Sequence, residues 1–266
     1  MKKIAHLSVC LVGLLFLPAL VANDDQKAGD RMVLKIKDVE YAFHWCPPGT
    51  FTMGSPSSET DRPDNETQHQ VTLTRDFWML ETEVTQSMWE SVMGNNPSDF
   101  KGAKLPVECV SWDDCQAYIE KLNAHLAGTP CVPAGFKFSL PTEAEWEYAC
   151  RAGTTTAYHF GNTLTQQQAN FNGNQTKEVG SYPANAWGLK DMHGNVWEWC
   201  LDWYGGYPSG AVTDPTGADR GSVRVLRGGG WSSLAKYCRS ANRLSSDPSA
   251  RGYDSGGVRV SLVRAE

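Results

Sequence analysis

The chain has 266 residues and a formal charge of −6, with 30 acidic and 24 basic side chains interspersed over most of its length. That balance excludes generic nucleic-acid binding, which needs a basic face. Beyond the N-terminal segment nothing approaches the roughly 20 consecutive apolar residues of a bilayer-crossing helix, so no membrane span is expected.

Lys2 and Lys3 precede an apolar run from Leu7 to Val21, and Ala22 offers a cleavage point, so residues 1–22 read as an export signal. The protein is therefore expected to be exported, to the periplasm, the cell surface or beyond. Leu20 stands where a small residue is preferred, which leaves an uncleaved form open. Residues 23–42 read as a lead-in and residues 43–264 as a single domain, since no long polar linker or internal repeat divides them. Cleavage removes Cys10 and leaves seven cysteines, an odd count that implies a free thiol or an intermolecular bond. Their spacing has neither paired Cys-x-x-Cys zinc ligands nor readable connectivity.

Three helices are expected. Thr85 caps the first, with Met88, Trp89, Val92 and Met93 on one face and Gly94 as its stop. Ser111 and Asp114 have capping-box spacing before Cys115, Tyr118, Ile119 and Leu122. Thr142 and Glu145 open the third, which turns Trp146, Ala149 and Cys150 inward before Gly153. Short strands are expected at Gln70 to Leu73, Gly194 to Trp203, Ser222 to Leu226 and Val258 to Val263. Gly54 to Asn65 and Gly161 to Lys177 read as long surface loops. The fold class is α+β with much irregular backbone, in which the ten tryptophans serve mainly as packing. The basic residues Arg224, Arg227, Lys236, Arg239, Arg243, Arg251, Arg259 and Arg264 read as groups that fix a loop through carbonyls and carboxylates.

Five segments occur in order: Cys46-Pro-Pro-Gly-Thr-Phe-Thr-Met-Gly-Ser55, Val110-Ser-Trp-Asp-Asp114, Leu140-Pro-Thr-Glu-Ala-Glu-Trp-Glu-Tyr-Ala-Cys150, Gly188-Leu-Lys-Asp-Met-His-Gly-Asn-Val-Trp-Glu-Trp199 and Arg227-Gly-Gly-Gly-Trp231. Together they resemble the formylglycine-generating-enzyme and sulfatase-modifying-factor family from Phe43 to Val260. The resemblance implies a variant of the C-type-lectin fold with its functional surface near the C-terminus.

Asp191 and Glu198 are carboxylates separated by a turn at Gly194 that can aim carbonyls inward, and calcium takes six to eight oxygens of this mixed kind. The resemblance assigns calcium to the side chains of Asp191 and Glu198 and the carbonyls of Gly194 and Val196. A second family calcium site is echoed only in Asn170 and Phe171, because the loop after them is shorter and its other ligands have no match. Glu198 also reads simply as the polar residue between Trp197 and Trp199 on a half-buried strand.

The family's copper chemistry uses two cysteines five residues apart, and Cu(I) requires soft thiolates. Alignment on Gly228-Gly229 puts the second cysteine at Cys238 but the first at Ser233, and Gly230 stands where the enzyme carries an active-site serine. Copper is therefore not expected, and Cys238, the remaining catalytic candidate, reads as a buried thiol. The family disulfides do not carry over either: Cys150 would pair with Arg243, and the other bridge would need a cysteine at Ile119.

From Trp231 to Asp254 the chain is rich in Ser, Tyr, Asn and Gly, residues that suit adaptable binding surfaces. Its Arg-Gly-Gly-x-Trp opening and Cys-Arg-Ser-Ala-Asn-Arg core resemble the variable region of retroelement-diversified lectin-fold proteins. Ser232, Ser233, Leu234, Lys236, Tyr237, Ser240, Asn242, Leu244 and Tyr253 are expected to line a face for a protein or surface ligand, on a framework of Trp231, Cys238, Arg239 and Arg243. A polar loop with no ligand is the plain alternative. The enzymatic alternative is a formylglycine-generating oxidase, or another modifying enzyme, acting on cysteine-containing protein substrates. No additional helical domain supplies the histidines of hercynine oxygenases, and no Gly-x-Ser-x-Gly elbow supports a serine hydrolase.

Overall fold

Residues 26–126, 132–251 and 256–265 are described by a computed structural model. The expected export signal and Tyr253 lie outside the described residues.

The first hairpin joins β1 (Arg31–Ile36) to β2 (Val39–Cys46) through Lys37 and Asp38, both at positive φ, 46° and 67°. A two-residue turn of that kind matches the right-handed twist of paired strands. Residues 31–42, expected as a lead-in, thus contribute β1 and the start of β2 to the five-stranded sheet. The remaining strands are β3 (Gly49–Met53), β4 (His69–Leu73), β5 (Phe77–Leu80), β6 (Phe136–Ser139), β7 (Trp197–Trp203), β8 (Val212–Thr213), β9 (Arg224–Arg227), β10 (Leu244–Ser246), β11 (Gly256–Gly257) and β12 (Ser261–Arg264). They form a five-stranded sheet in the order β1-β2-β5-β12-β6, a four-stranded sheet β10-β9-β7-β11 and a three-stranded sheet β3-β4-β8. Near-terminal β12 lies between β5 and β6, so the chain's last described strand closes the sheet that its first strand opens.

The helices start where their caps predict. Thr85 Oγ1 accepts the Met88 amide at 3.2 Å before α1 (Gln86–Met93), and Gly94 ends it at φ 79°. Before α2 (Trp112–Leu126), Ser111 and Asp114 exchange hydrogen bonds of 3.0 Å between each amide and the other's side chain. Thr142 and Glu145 do the same before α3 (Glu143–Arg151). That helix ends at Ala152, φ 43°, one residue before the expected glycine. The strand expected from Gly194 begins instead at Trp197, because Gly194 and Asn195 adopt positive φ of 90° and 64° and form a turn.

Tyr41, Phe43, Trp89, Tyr118 and Phe138 fill the core between the five-stranded sheet and α1 and α2. A second core surrounds α3, with Trp146, Cys150, Leu189, Met192 and Val225. Trp78, Trp89, Trp146, Trp197 and Trp199 are all buried, so the packing role holds for these five. Cys46, Cys109, Cys115, Cys150, Cys200 and Cys238 are free thiols.

Buried arginines tie the C-terminal segment to these cores. Arg227 donates to Glu147 and to the carbonyls of Ser240, Ala241 and Asn242. Arg239 donates to Glu59 and to both oxygens of Glu66, and Arg243 donates to both oxygens of Glu143. Arg259 binds Glu198 and the carbonyls of Leu80 and Lys190. The loop-fixing role expected of the C-terminal arginines is what these four perform. Glu147→Ala removes the carboxylate that buried Arg227 and Arg151 share, leaving Arg227 only Glu143 at 3.6 Å, and is expected to cost about 3–5 kcal/mol in chemical denaturation, with Glu147→Gln costing less.

Candidate functional site

After Arg227 the chain makes a tight turn whose glycines are sterically required. A Cβ on Gly229, at φ 80°, would sit 2.5 Å from Cys238 Sγ. Trp231 then donates its amide to Asn195 O at 2.8 Å and accepts the Gly173 amide at 2.7 Å, while Ser233 O accepts the Asn172 amide at 2.8 Å. The Ser233 hydroxyl accepts the Gly230 amide at 3.0 Å. A 3-10 turn from Ala235 to Cys238 follows, anchored where Tyr158 Oη donates to Ala235 O at 2.8 Å.

This scaffold presents an apolar surface. Among the described residues four large hydrophobic side chains are exposed: Leu234 at 51%, Tyr237 at 43%, Leu244 at 42%, and Val33 in β1. Leu234 and Tyr237 flank Lys236, whose Nζ lies 5.1 Å from the Tyr237 ring centroid, and Ser232 is exposed beside them. Leu244 lies apart from this turn on β10. Two expected face residues are not on the surface at all. Ser240 is fully buried within hydrogen-bond reach of Cys150 Sγ, and Asn242 is 5% exposed and donates to Glu66. Both point inward because Arg227 and Arg239 draw their stretch of backbone into the core; Ser233 is half-buried by its bond to the Gly230 turn. Beside the turn a cavity of about 640 Å³ is lined by Glu59, Asp61, Tyr158, Asn162, Lys236 and Arg239.

Cys238 is fully buried, and burial pushes its thiol up to about 12. Without a metal it is a neutral thiol, not an activated nucleophile. Its carbonyl accepts from His193 Nδ1 at 2.7 Å, while His193 Nε2 accepts the His159 amide at 3.1 Å. These two bonds fix the neutral Nδ1–H tautomer. The His159 ring stacks 4.8 Å from that of His193, and neither of its nitrogens has a hydrogen-bond partner. Burial lowers His193 to about 3 and His159 to about 4.

The expected calcium loop has a different surrounding. Gly194 lies so close to Asn170 that a Cβ would meet its carbonyl oxygen at 2.3 Å. Asp191 accepts the Gly180 amide, and Glu198 accepts Trp146 Nε1 at 2.7 Å together with Arg259 at 2.8 Å. Glu83, which carries no motif in the sequence, is fully buried nearby with both carboxylate oxygens lacking a hydrogen-bond partner. Burial and then the Asp191 charge push Glu83 far above the usual carboxylate range. Glu83, Asp191 and Glu198 thus share the field of one guanidinium, Arg259. When ionised, three carboxylates outnumber the cations that act on them, Arg259 and, at Asp191, Lys190, and the excess negative charge suits a cation. Glu198 already accepts from Arg259 and Trp146, so Asp191 and Glu83 hold the freer oxygens. Asn170 donates its amide to Gln175 O and Asn195 Oδ1, both at 3.0 Å, and the Phe171 ring packs in the apolar cluster around Cys238. Asn170 thereby ties the loop that follows it to the turn at Asn195.

Residues 37–263 match the sulfatase-modifying factor enzyme 1-like domain. The chain belongs to that family. Among sulfatase-modifying-factor relatives, it is 34% identical over 218 residues to a formylglycine-generating enzyme of Streptomyces coelicolor, covering 71% of this chain and 65% of the enzyme. It is 31% identical to the chaperone protein LppX of Paenibacillus barcinonensis, over 70% of this chain and 80% of that one. A 153-residue stretch is 42% identical to the serine/threonine-protein kinase pkn1 of Chlamydia caviae, but spans 22% of the kinase's length. The fold superposes on Treponema denticola variable protein 1 with a TM-score of 0.78 and 30% identity, covering 88% of this chain and 99% of that one. PvdO from Pseudomonas aeruginosa superposes at 0.75 with 29% identity, over 90% and 100% of the two chains.

The buried histidines carry a pH dependence. Both folded values lie below the ordinary 6.5, so the unfolded chain binds protons first as pH falls. Their stabilising effect is complete above pH 6.5 and is lost progressively towards pH 4 and then 3. His159→Phe is expected to unfold less readily than wild type at pH 5 and similarly at pH 8, as read by urea midpoints at the two pH values.

Proposed function

We propose that this protein is an exported, calcium-stabilised ligand-binding member of the sulfatase-modifying-factor family. On this reading it takes a protein or surface ligand at the turn bearing Ser232, Leu234, Lys236 and Tyr237. The observation that carries the reading is the exposure of Leu234 and Tyr237 on a backbone held from beneath by buried ion pairs. Apolar side chains so exposed on a rigid frame suit a partner's surface, since little ordering entropy opposes their burial. The serine at position 233, which leaves Cys238 without a second thiolate, favours binding over copper-dependent oxidation. Likeness to a variable protein of Treponema denticola over 88% of the chain is consistent with it. Modification of cysteine-containing protein substrates is the second reading, supported by 34% identity to a formylglycine-generating enzyme.

Calcium in this reading is held by Asp191, Glu83 and the carbonyls of Gly194 and Val196, with Glu198 shared between the ion and Arg259. Bound there, it supplies positive charge that neutralises the buried carboxylates and fixes the turn beneath Trp231. Calcium at about 100 times its Kd is expected to stabilise the fold by about 2.7 kcal/mol, and Asp191→Asn is expected to remove most of that gain in thermal denaturation with and without chelator.

A surface-display screen of candidate proteins and glycans, followed by titration, tests the binding face. Tyr237→Ala and Leu234→Ala are expected to weaken the selected ligand by at least tenfold, about 1.4 kcal/mol each, with Val33→Ala neutral and all three variants equally stable. Oxidation of a cysteine-containing sulfatase peptide by wild type, lost in Cys238→Ser, is the result that favours the enzyme reading.

A further inference from the structure

A third cluster of polar side chains lies where the loop after α1 meets the segment leading into α2. Asp99, Glu108 and Cys109 place a carboxylate oxygen, a second carboxylate oxygen and a thiol sulfur within 4.8 Å of one another. Among the described residues no other group of three His, Cys, Asp or Glu side chains is so compact. We infer that Asp99, Glu108 and Cys109 bind a divalent, borderline-soft cation of the zinc class.

The strongest reason is Glu108. It is fully buried, one carboxylate oxygen accepts the Phe100 amide at 2.9 Å, and the other oxygen has no hydrogen-bond partner. A buried carboxylate oxygen left without a partner is costly unless something else compensates it. Asp99 and Cys109 stand on its open side.

Geometry agrees with chemistry. Zinc bonds sulfur at about 2.3 Å and carboxylate oxygen at about 2.0 Å, so two such ligands in a tetrahedron lie about 3.5 Å apart. Cys109 Sγ is 3.6 Å from Asp99 Oδ2. A thiolate with two carboxylates is too soft a set for calcium or magnesium and suits zinc. Three protein ligands leave a fourth position, and Asp99 is exposed, so that position faces water. As the Cys109 sulfur bonds the ion, its proton passes to solvent; no electron is transferred and no other bond breaks.

The site also touches the binding turn. Glu108 holds the Phe100 amide, and the Phe100 ring packs edge-on against Trp231 at 5.6 Å. An ion at Glu108 therefore stiffens the loop on which Trp231 rests.

Cobalt(II), titrated into the reduced, metal-free full chain with excess calcium present, is the direct probe. One equivalent is expected to bind with a thiolate-to-cobalt absorption band that one equivalent of zinc abolishes. Cys109→Ser is expected to lose the band, and Asp99→Asn, an exposed change that leaves folding intact, to weaken zinc by at least the roughly 100-fold that outer-shell losses can reach. Circular dichroism checks that both variants fold as wild type does. Absence of the band in wild type overturns the inference, as does a band that survives Cys109→Ser or unchanged zinc affinity in folded Asp99→Asn.

Discussion

Arg227 has no solvent contact, yet it sits at the end of β9 immediately before the turn that presents the candidate binding residues. A guanidinium in that position is costly unless its charge is balanced and most of its donors are bonded. Glu147, with Glu143 3.6 Å away, balances it, and three successive carbonyls, those of Ser240, Ala241 and Asn242, accept from its two terminal nitrogens, while Nε is left without a partner. The backbone of residues 240–242 is therefore clamped around one side chain. Arg239 and Arg243 extend the clamp to Glu66 and Glu143, and Arg259 repeats it on Glu198 under the calcium loop. Each of these arginines is held in its charged form by the carboxylates it binds. The irregular half of the molecule, with few strands of its own, obtains its rigidity from these ion pairs.

Clamping the backbone from within has a consequence for chemistry at the surface. The residues that the clamp draws inward, Cys238, Ser240 and Asn242, are removed from solvent, while Ser232, Leu234 and Tyr237 just before them are exposed. Burial then keeps the Cys238 thiol and both histidines near it neutral. A neutral thiol beside neutral imidazoles supplies no activated nucleophile. An outward, partly apolar turn on a rigid base has instead the physical character of a contact surface, and substitutions at Ser232, Leu234, Lys236 or Tyr237 can alter that surface without disturbing the ion pairs below.

Sequence reasoning succeeded where the signal is local. Thr85, Ser111 and Thr142 bond to amides within the next turn of chain, so their helices were legible from spacing alone, and the five ordered segments identified the family. The β1–β2 hairpin was missed because Lys37 and Asp38 take up positive φ without a glycine to announce it. At the candidate face, composition could not separate Ser232 from Ser240: both are serines in the same polar stretch, and their burial depends on Glu66 and Glu147, over 80 residues away in the chain. Glu83 is likewise one carboxylate in a polar run until the fold brings it beside Asp191 and Arg259. Asp99 and Glu108 are nine residues apart, a spacing that resembles no metal motif, and meet because the loop after α1 folds back on the start of α2.

The central claim, that the C-terminal segment is a binding scaffold and not a copper centre, is tested most directly by Cu(I) affinity measured against a competing chelator. Reduced Cys109→Ser protein, which lacks the thiol of the Asp99, Glu108 and Cys109 cluster, is compared with the same protein carrying Ser233→Cys. The account predicts no tight binding in the first and a gain of one tightly held Cu(I) in the second. Tight one-to-one binding that already exists with Ser233 in place, and disappears with Cys238→Ser, would contradict it.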